Sequence, residues 1–168
     1  MEIGEKLLTL TKYKKWTNEI IFSAVSNLPD GEVIKQRMTS FGNMVHTLNH
    51  VYVIDDIFKS HLLSAPHNYQ SRNTASHPPL SALWEKQKEM DMWYISYAQY
   101  LSDSEFSEVV EFEFVDGGDG SMSRADIILH VVNHGTYRRG YVANMMYQAS
   151  VKPPPTDFPV YLRELRSA

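Results

Sequence analysis

The 168-residue sequence predicts an all-α fold, a four-helix bundle with a short β-hairpin between its third and fourth helices. Three observations predict it. Four stretches of roughly twenty residues or more repeat apolar side chains every three or four positions, the period of a helix with one buried face. The breaks between them fall on turn formers, such as Pro29-Asp30-Gly31 and the Pro-, Ser- and Asn-rich run from Ser64 to Pro79. One short segment, Ser107 to Ser123, changes from the helical period to strict alternation. Residues 1–168 read as one domain, long enough for a real core.

Taken in order, the first helix spans Met1 to Leu28, with Ile3, Leu7, Leu10, Trp16, Ile20, Ala24 and Leu28 at helical spacing. Residues 32–38 have room for a short helical turn. Ser40 is a candidate N-cap for the second helix, which runs to about Leu63 and carries Met44, Leu48, Val51, Ile54, Phe58 and Leu62. Ser64 to Pro79 is a long loop, and long loops are commonly functional or mobile. The third helix covers Leu80 to Leu101, with Leu83, Trp84, Met90, Trp93, Tyr94 and Tyr97 on its buried side. In the hairpin, Val110, Phe112 and Phe114 point one way and Glu111 and Glu113 the other, and Gly117-Gly118-Asp119-Gly120 makes the turn. The fourth long helix runs from Ser123 to about Ala149. Ser123 and Asp126 resemble a capping box, with Asp in place of Glu or Gln. Lys152 to Pro159 is extended by its prolines, and Val160 to Leu165 can add a last helical turn.

Composition removes several classes of function. There are no cysteines, hence no disulfides, thiolate ligands or cysteine nucleophiles. The formal charge of −4 disfavours nucleic acid as a partner, since counterion release needs a basic face. The first residues lack the pattern of a signal peptide, and no apolar run approaches the ~20 residues of a membrane span. A cytoplasmic protein with no membrane partner is expected. No GxSxG or HExxH motif is present, and the glycine cluster lacks the strand-and-helix context of a phosphate loop.

The chemistry concentrates on two helices. His130, His134 and Arg138 lie four residues apart on the fourth long helix, and His46 and His50 repeat that spacing on the second. Each step of four turns the side chain only about 40° round the axis, so each set forms a stripe. If the two helices face one another, up to four imidazoles and a guanidinium converge. Imidazoles so placed suit a divalent transition metal such as zinc or nickel. His61, His67 and His77, at a helix end or in the loop, are expected to have no metal role. Arg138 cannot be a ligand, because guanidinium has no lone pair to give, and it repels a cation. It either turns away to pair with Asp55 or Asp56, or it serves as a receptor for a carboxylate or phosphate. Arg139, about 100° round the helix, is expected to be structural.

Four segments together resemble the DinB/YfiT-like superfamily of helical bundles. YKKWTNEIIFSAVSNLPDGE is similar to the family's first helix and following turn. SFGNMVHTLNHVYVIDDIF resembles the second-helix motif, with His50, Asp55 and Phe58 at its positions. HVVNHGTYRRGYV resembles the fourth-helix motif, and KPPPTDFPVYL resembles the C-terminal tail. The resemblance implies a metal site on His50, His134 and position 138, which here is Arg138. His46 and His130, one turn back on each helix, are the candidate replacements. The resemblance also implies metal-dependent chemistry of the thiol-transferase, isomerase or hydrolase kind, and a homodimer.

Two readings follow. In the first, His50 and His134, with His46 or His130, hold a metal whose bound water is the nucleophile; Asp55 fixes a histidine tautomer and Arg138 clamps an anionic part of the substrate. In the second, the metal is lost, and Arg138 with the histidine cluster binds an anionic small molecule.

Overall fold

The computed structural model describes residues 2–168; Met1, the expected first residue of the first helix, lies outside the described residues. Four long helices form the bundle: α1 (Ile3–Ser26), α2 (Met44–Leu62), α3 (Leu80–Tyr100) and α5 (Arg124–Gln148). A one-turn helix α4 (Asp103–Phe106) and strands β1 (Val109–Glu113) and β2 (Asp119–Ser123) precede α5, and α6 (Phe158–Ser167) follows it. Both α1 and α2 pack against α3 and α5, so α1 and α2 lie on opposite corners. The two histidine-bearing helices, α2 and α5, are therefore neighbours. Leu62 is beside Arg124, Phe58 beside His130 and His50 beside His134, so the pair runs antiparallel.

Helix starts are set by local hydrogen bonds. The Asn43 side chain, not that of Ser40, caps α2 by accepting the His46 N–H at 2.8 Å. Gly42, at φ +78°, makes the turn that keeps the helix from starting earlier. Residues 32–38 hold turns and bends but no helix. Ser123 caps α5, accepting from the Asp126 N–H at 3.0 Å, as its spacing predicts. The final helix is longer than one turn and opens at a proline, whose missing N–H costs nothing there.

The β-hairpin is antiparallel, pairing Val109 with Ser123 and Glu113 with Asp119. Gly117 and Gly118 both have φ above +90°, a conformation that side chains rarely allow. Val110 is buried, and Phe112 and Met122 pack with Phe58, Ile57 and Met90 in one core cluster, which lays the hairpin over the end of α2. A second cluster, built on Phe22, Leu48, Leu83 and Met145, fills the other end of the bundle. An aromatic clasp of Tyr13 and Trp16 with Phe158 and Tyr161 pins α6 to α1, and the Tyr13 hydroxyl donates to the Thr156 carbonyl at 2.6 Å.

The middle of the bundle is not apolar. Lys14 is 1 % exposed and donates to Asp55 at 2.5 Å and Asp91 at 3.0 Å. Gln87 donates to both carboxylates, Asn18 donates to Asp91, and Arg139 donates to the Asn18 amide oxygen at 3.0 Å. Burial pushes Lys14 toward a lower pKa, but the two carboxylates outweigh it and hold its pKa above the ordinary value. Burial dominates at Asp55, whose pKa is raised despite Lys14. Arg139 is pushed down to about 10 by burial. This network corrects the face expected for α1. The buried residues include Leu7, Thr11, Lys14, Asn18, Ile21 and Val25, while Ile3 is 47 % exposed and Leu10, Ile20 and Ala24 are only partly buried.

Candidate functional site

His50 and His134 meet across the α2–α5 interface with Nε2 atoms 3.0 Å apart and rings edge to face. His50 is fixed from two sides. Its Nδ1 donates to the Arg72 carbonyl at 2.6 Å, and Phe41 stacks on its ring with centroids 4.2 Å apart. A carbonyl only accepts, so Nδ1 carries the proton and Nε2 presents a lone pair. Burial pushes the His50 pKa down to about 4, against the pull of the Arg72 carbonyl. Burial, with His50, His130 and Arg138 nearby, pushes His134 to about 3. Both rings are neutral at physiological pH.

Arg138 completes the cluster one turn beyond His134. Its Nε lies 3.4 Å from His134 Nε2, and Nη1 donates to the Ser40 hydroxyl at 3.3 Å. Phe41, Tyr137 and Tyr141 surround the guanidinium at 5.2 to 5.6 Å from its carbon. Among the described residues no carboxylate pairs with it. One conflict follows. His134 Nε2 must carry a proton to donate to His50, yet must be bare to accept from Arg138, and it cannot do both. With the proton on Nε2, His134 Nδ1 is bare, buried and unpartnered, and Arg138 keeps only the long contact to Ser40 for its five N–H groups.

The cluster opens into a cavity of about 350 Å³. Ile54, Ile57 and Phe58 of α2 and Phe114, Val115 and Met122 of the hairpin region make its apolar walls, with His61 and His130 among them. Arg72 of the long loop and Asp116 of the hairpin turn line it too and form an ion pair that joins these two segments. Arg72 thus serves twice, orienting His50 through its carbonyl and latching the hairpin through its side chain.

The sequence-derived residues divide. His50, His134 and Arg138 are brought together. His130 lies along the same wall, its ring 5.8 Å from that of His134 and 4.6 Å from Phe58. His46 turns out of the cavity, its Nε2 at 3.0 Å from the Thr74 carbonyl and its ring near His77. Asp55 makes no hydrogen bond to a histidine. It faces the bundle interior, where Lys14 and Gln87 hold it, so the expected tautomer-fixing role falls instead to the Arg72 carbonyl. Nor does Arg138 pair with Asp55 or Asp56; Asp56 accepts from Tyr69. Arg139 is structural, as expected. Of the residues sequence reasoning missed, Phe41, Arg72 and Asp116 carry no pattern that marks them. His61 did have a signal: it follows His50 by eleven residues, about three helical turns, and so shares its face.

The donor set can be tested against a metal. Two nitrogens 3.0 Å apart, each at the usual ~2.05 Å from an ion, would subtend about 94°, whereas a tetrahedral ion wants them nearer ~3.3 Å apart. No third His, Cys, Asp or Glu joins them in a metal-binding group among the described residues. A guanidinium about 4 Å from a dication costs roughly 8 kcal/mol at an effective dielectric near 20. The residues present do not fit a three-ligand metal centre.

Fold and site together define a four-helix bundle with a histidine pair and, among the described residues, an arginine without a carboxylate partner beside a cavity between neighbouring helices. The chain belongs to the DinB family, whose family model matches residues 3–166. It is similar to Protein DinB of Bacillus subtilis, with 28% identity over 160 residues covering 91% of each chain. The crystal structure of a DinB-like protein from Bacillus cereus shares the fold, with a TM-score of 0.64 at 15% identity over 90% of this chain and 95% of that one. No helix among the described residues is long and apolar enough to cross a membrane.

Proposed function

We propose that this chain binds an anionic small molecule in the cavity between α2 and α5, with Arg138 as the anion receptor and the neutral His50–His134 pair as its hydrogen-bonding neighbour. One observation carries the reading: a partly buried guanidinium stands against two neutral imidazoles, in the lining of a cavity, with no carboxylate partner among the described residues. A carboxylate or phosphate there would accept two parallel N–H bonds from the guanidinium. It would also remove the competing demand on His134 Nε2, leaving that nitrogen free to donate to His50.

Thermal melting in the presence of carboxylates and inorganic phosphate tests this. A ligand at a hundred times its Kd stabilises by about 2.7 kcal/mol, or about 5–10 °C in Tm for a domain of this size. Arg138→Gln should abolish the shift, and equal shifts in both proteins would exclude Arg138 as the receptor. Elemental analysis complements it. The unmutated protein should carry little transition metal, and Arg138→His, which supplies a third imidazole beside His50 and His134, should gain it. A stoichiometric metal in the unmutated protein would overturn the metal-free reading.

A further inference from the structure

Polarity is graded along this cavity. At one end stand Arg138, His134 and His50; one turn further along α5 is His130, packed on Phe58. Apart from His61, the facing wall is hydrocarbon, from Ile54 and Ile57 of α2 to Met122 of β2. The charges also count to one. Arg72 and Asp116 both line the cavity but neutralise each other, and the imidazoles of the wall are neutral, burial lowering the pKa of His130 and His61 as it does those of the pair. Among the described residues that line the cavity, Arg138 alone is left without an opposite charge.

From this gradient we infer that the cavity selects an amphipathic monocarboxylate, its carboxylate on Arg138 and its hydrocarbon body lying down the groove toward His130. The inference rests on the anion-binding reading above and adds the class of ligand. A phosphate dianion would leave one charge unmatched against an apolar wall, which is costly, whereas a carboxylate matches the single guanidinium. Length follows from the helix. Arg138 and His130 are eight residues apart, about 12 Å along α5. About 3 Å of this is taken up by the carboxylate–guanidinium hydrogen bond, and an extended chain advances about 1.3 Å per bond, so about seven bonds, a chain of roughly eight carbons, fill the remaining ~9 Å. Each methylene buried against such walls should tighten binding about fourfold.

Isothermal titration calorimetry of the full chain with sodium acetate, butanoate, hexanoate, octanoate and phosphate tests this. Octanoate should bind on the order of a hundredfold more tightly than butanoate, and more tightly than phosphate. Arg138→Gln should weaken octanoate more than about tenfold. Met122→Trp and Phe114→Trp, both on the hairpin side of the cavity, should fill the apolar part and cut the gain from butanoate to octanoate below about tenfold. Equal affinity for butanoate and octanoate in the unmutated protein overturns the monocarboxylate assignment while leaving the Arg138 anion site standing. Octanoate binding that survives Arg138→Gln, or a chain-length gain that survives both tryptophan variants, also overturns it. Failure of every carboxylate and of phosphate to bind overturns the anion reading itself.

Discussion

Replacing Lys14 with Met tests what the buried ions contribute. The lysine nitrogen is within 3.0 Å of both Asp55 and Asp91, and all three side chains are almost wholly buried. Met has a similar length and no charge, so the substitution leaves two buried carboxylates facing Arg139 alone. Breaking a buried pair from one side typically costs about 3–5 kcal/mol, a large part of a total stability of about 5–15 kcal/mol. The loss has a pH signature. Burial already raises the Asp55 pKa, and removing Lys14 raises it further. A carboxyl raised above its unfolded value of about 3.9 gives stability that is fully present below that value and lost as pH rises through the folded pKa. The deficit of Lys14→Met against the unmutated protein should therefore be about 3–5 kcal/mol near pH 7.5 and shrink toward about pH 5, by at most about 1.4 kcal/mol per unit. Urea unfolding of both proteins at the two pH values measures it. A deficit below about 1 kcal/mol near neutrality, or one that does not change with pH, would refute the reasoning.

The histidine pair makes the opposite prediction. His50 and His134 have folded pKa values of about 4 and about 3 against an ordinary 6.5, so their contribution is complete above about 6.5 and is lost as pH falls toward those values. Between about pH 7.5 and pH 5 the pair should cost roughly 4 kcal/mol that the His50→Gln/His134→Gln double variant does not lose; parallel urea curves with the same acid loss would contradict this. Gly135→Ala would put a Cβ 2.9 Å from Arg139 Nη1 and 3.4 Å from Lys14 Cε, and should destabilise by about 1–3 kcal/mol. Gly140→Ala on the same helix meets nothing within 4 Å and should stabilise by about 0.5–1 kcal/mol. Melting temperatures that move in the same direction for both would remove the steric argument.

The helices and the hairpin were legible because they follow from period, caps and glycines, which are local. The His50–His134 pair was legible in part: the four-residue spacing marks both stripes, but which end of each stripe faces the partner depends on how the helices are rotated. That is why His46 leaves the cavity while His50 enters it. Apart from the structural role expected of Arg139, the interior network was missed for a definite reason. Lys14, Asn18, Gln87 and Asp91 each look like solvated surface residues when taken singly. A signal was present in the register, since Leu7, Thr11, Lys14, Asn18, Ile21 and Val25 alternate steps of four and three without a break. Following that seam through its polar members would have found the buried face. The roles of Arg72 and Asp116 had no such signal, because a loop carbonyl and a turn carboxylate acquire their function only from long-range placement.

The central ions bear on how the molecule forms. Lys14 comes from α1, Asp55 from α2, Asp91 from α3 and Arg139 from α5, one charge from each long helix. A hairpin of any two helices would have to strip water from an ion without its full set of partners, which is unfavourable. Partly assembled bundles are thereby penalised, and the dehydrated centre becomes favourable only when the fourth helix arrives. We expect folding to be strongly cooperative, with dehydration of the core as a late event and no long-lived two-helix intermediate.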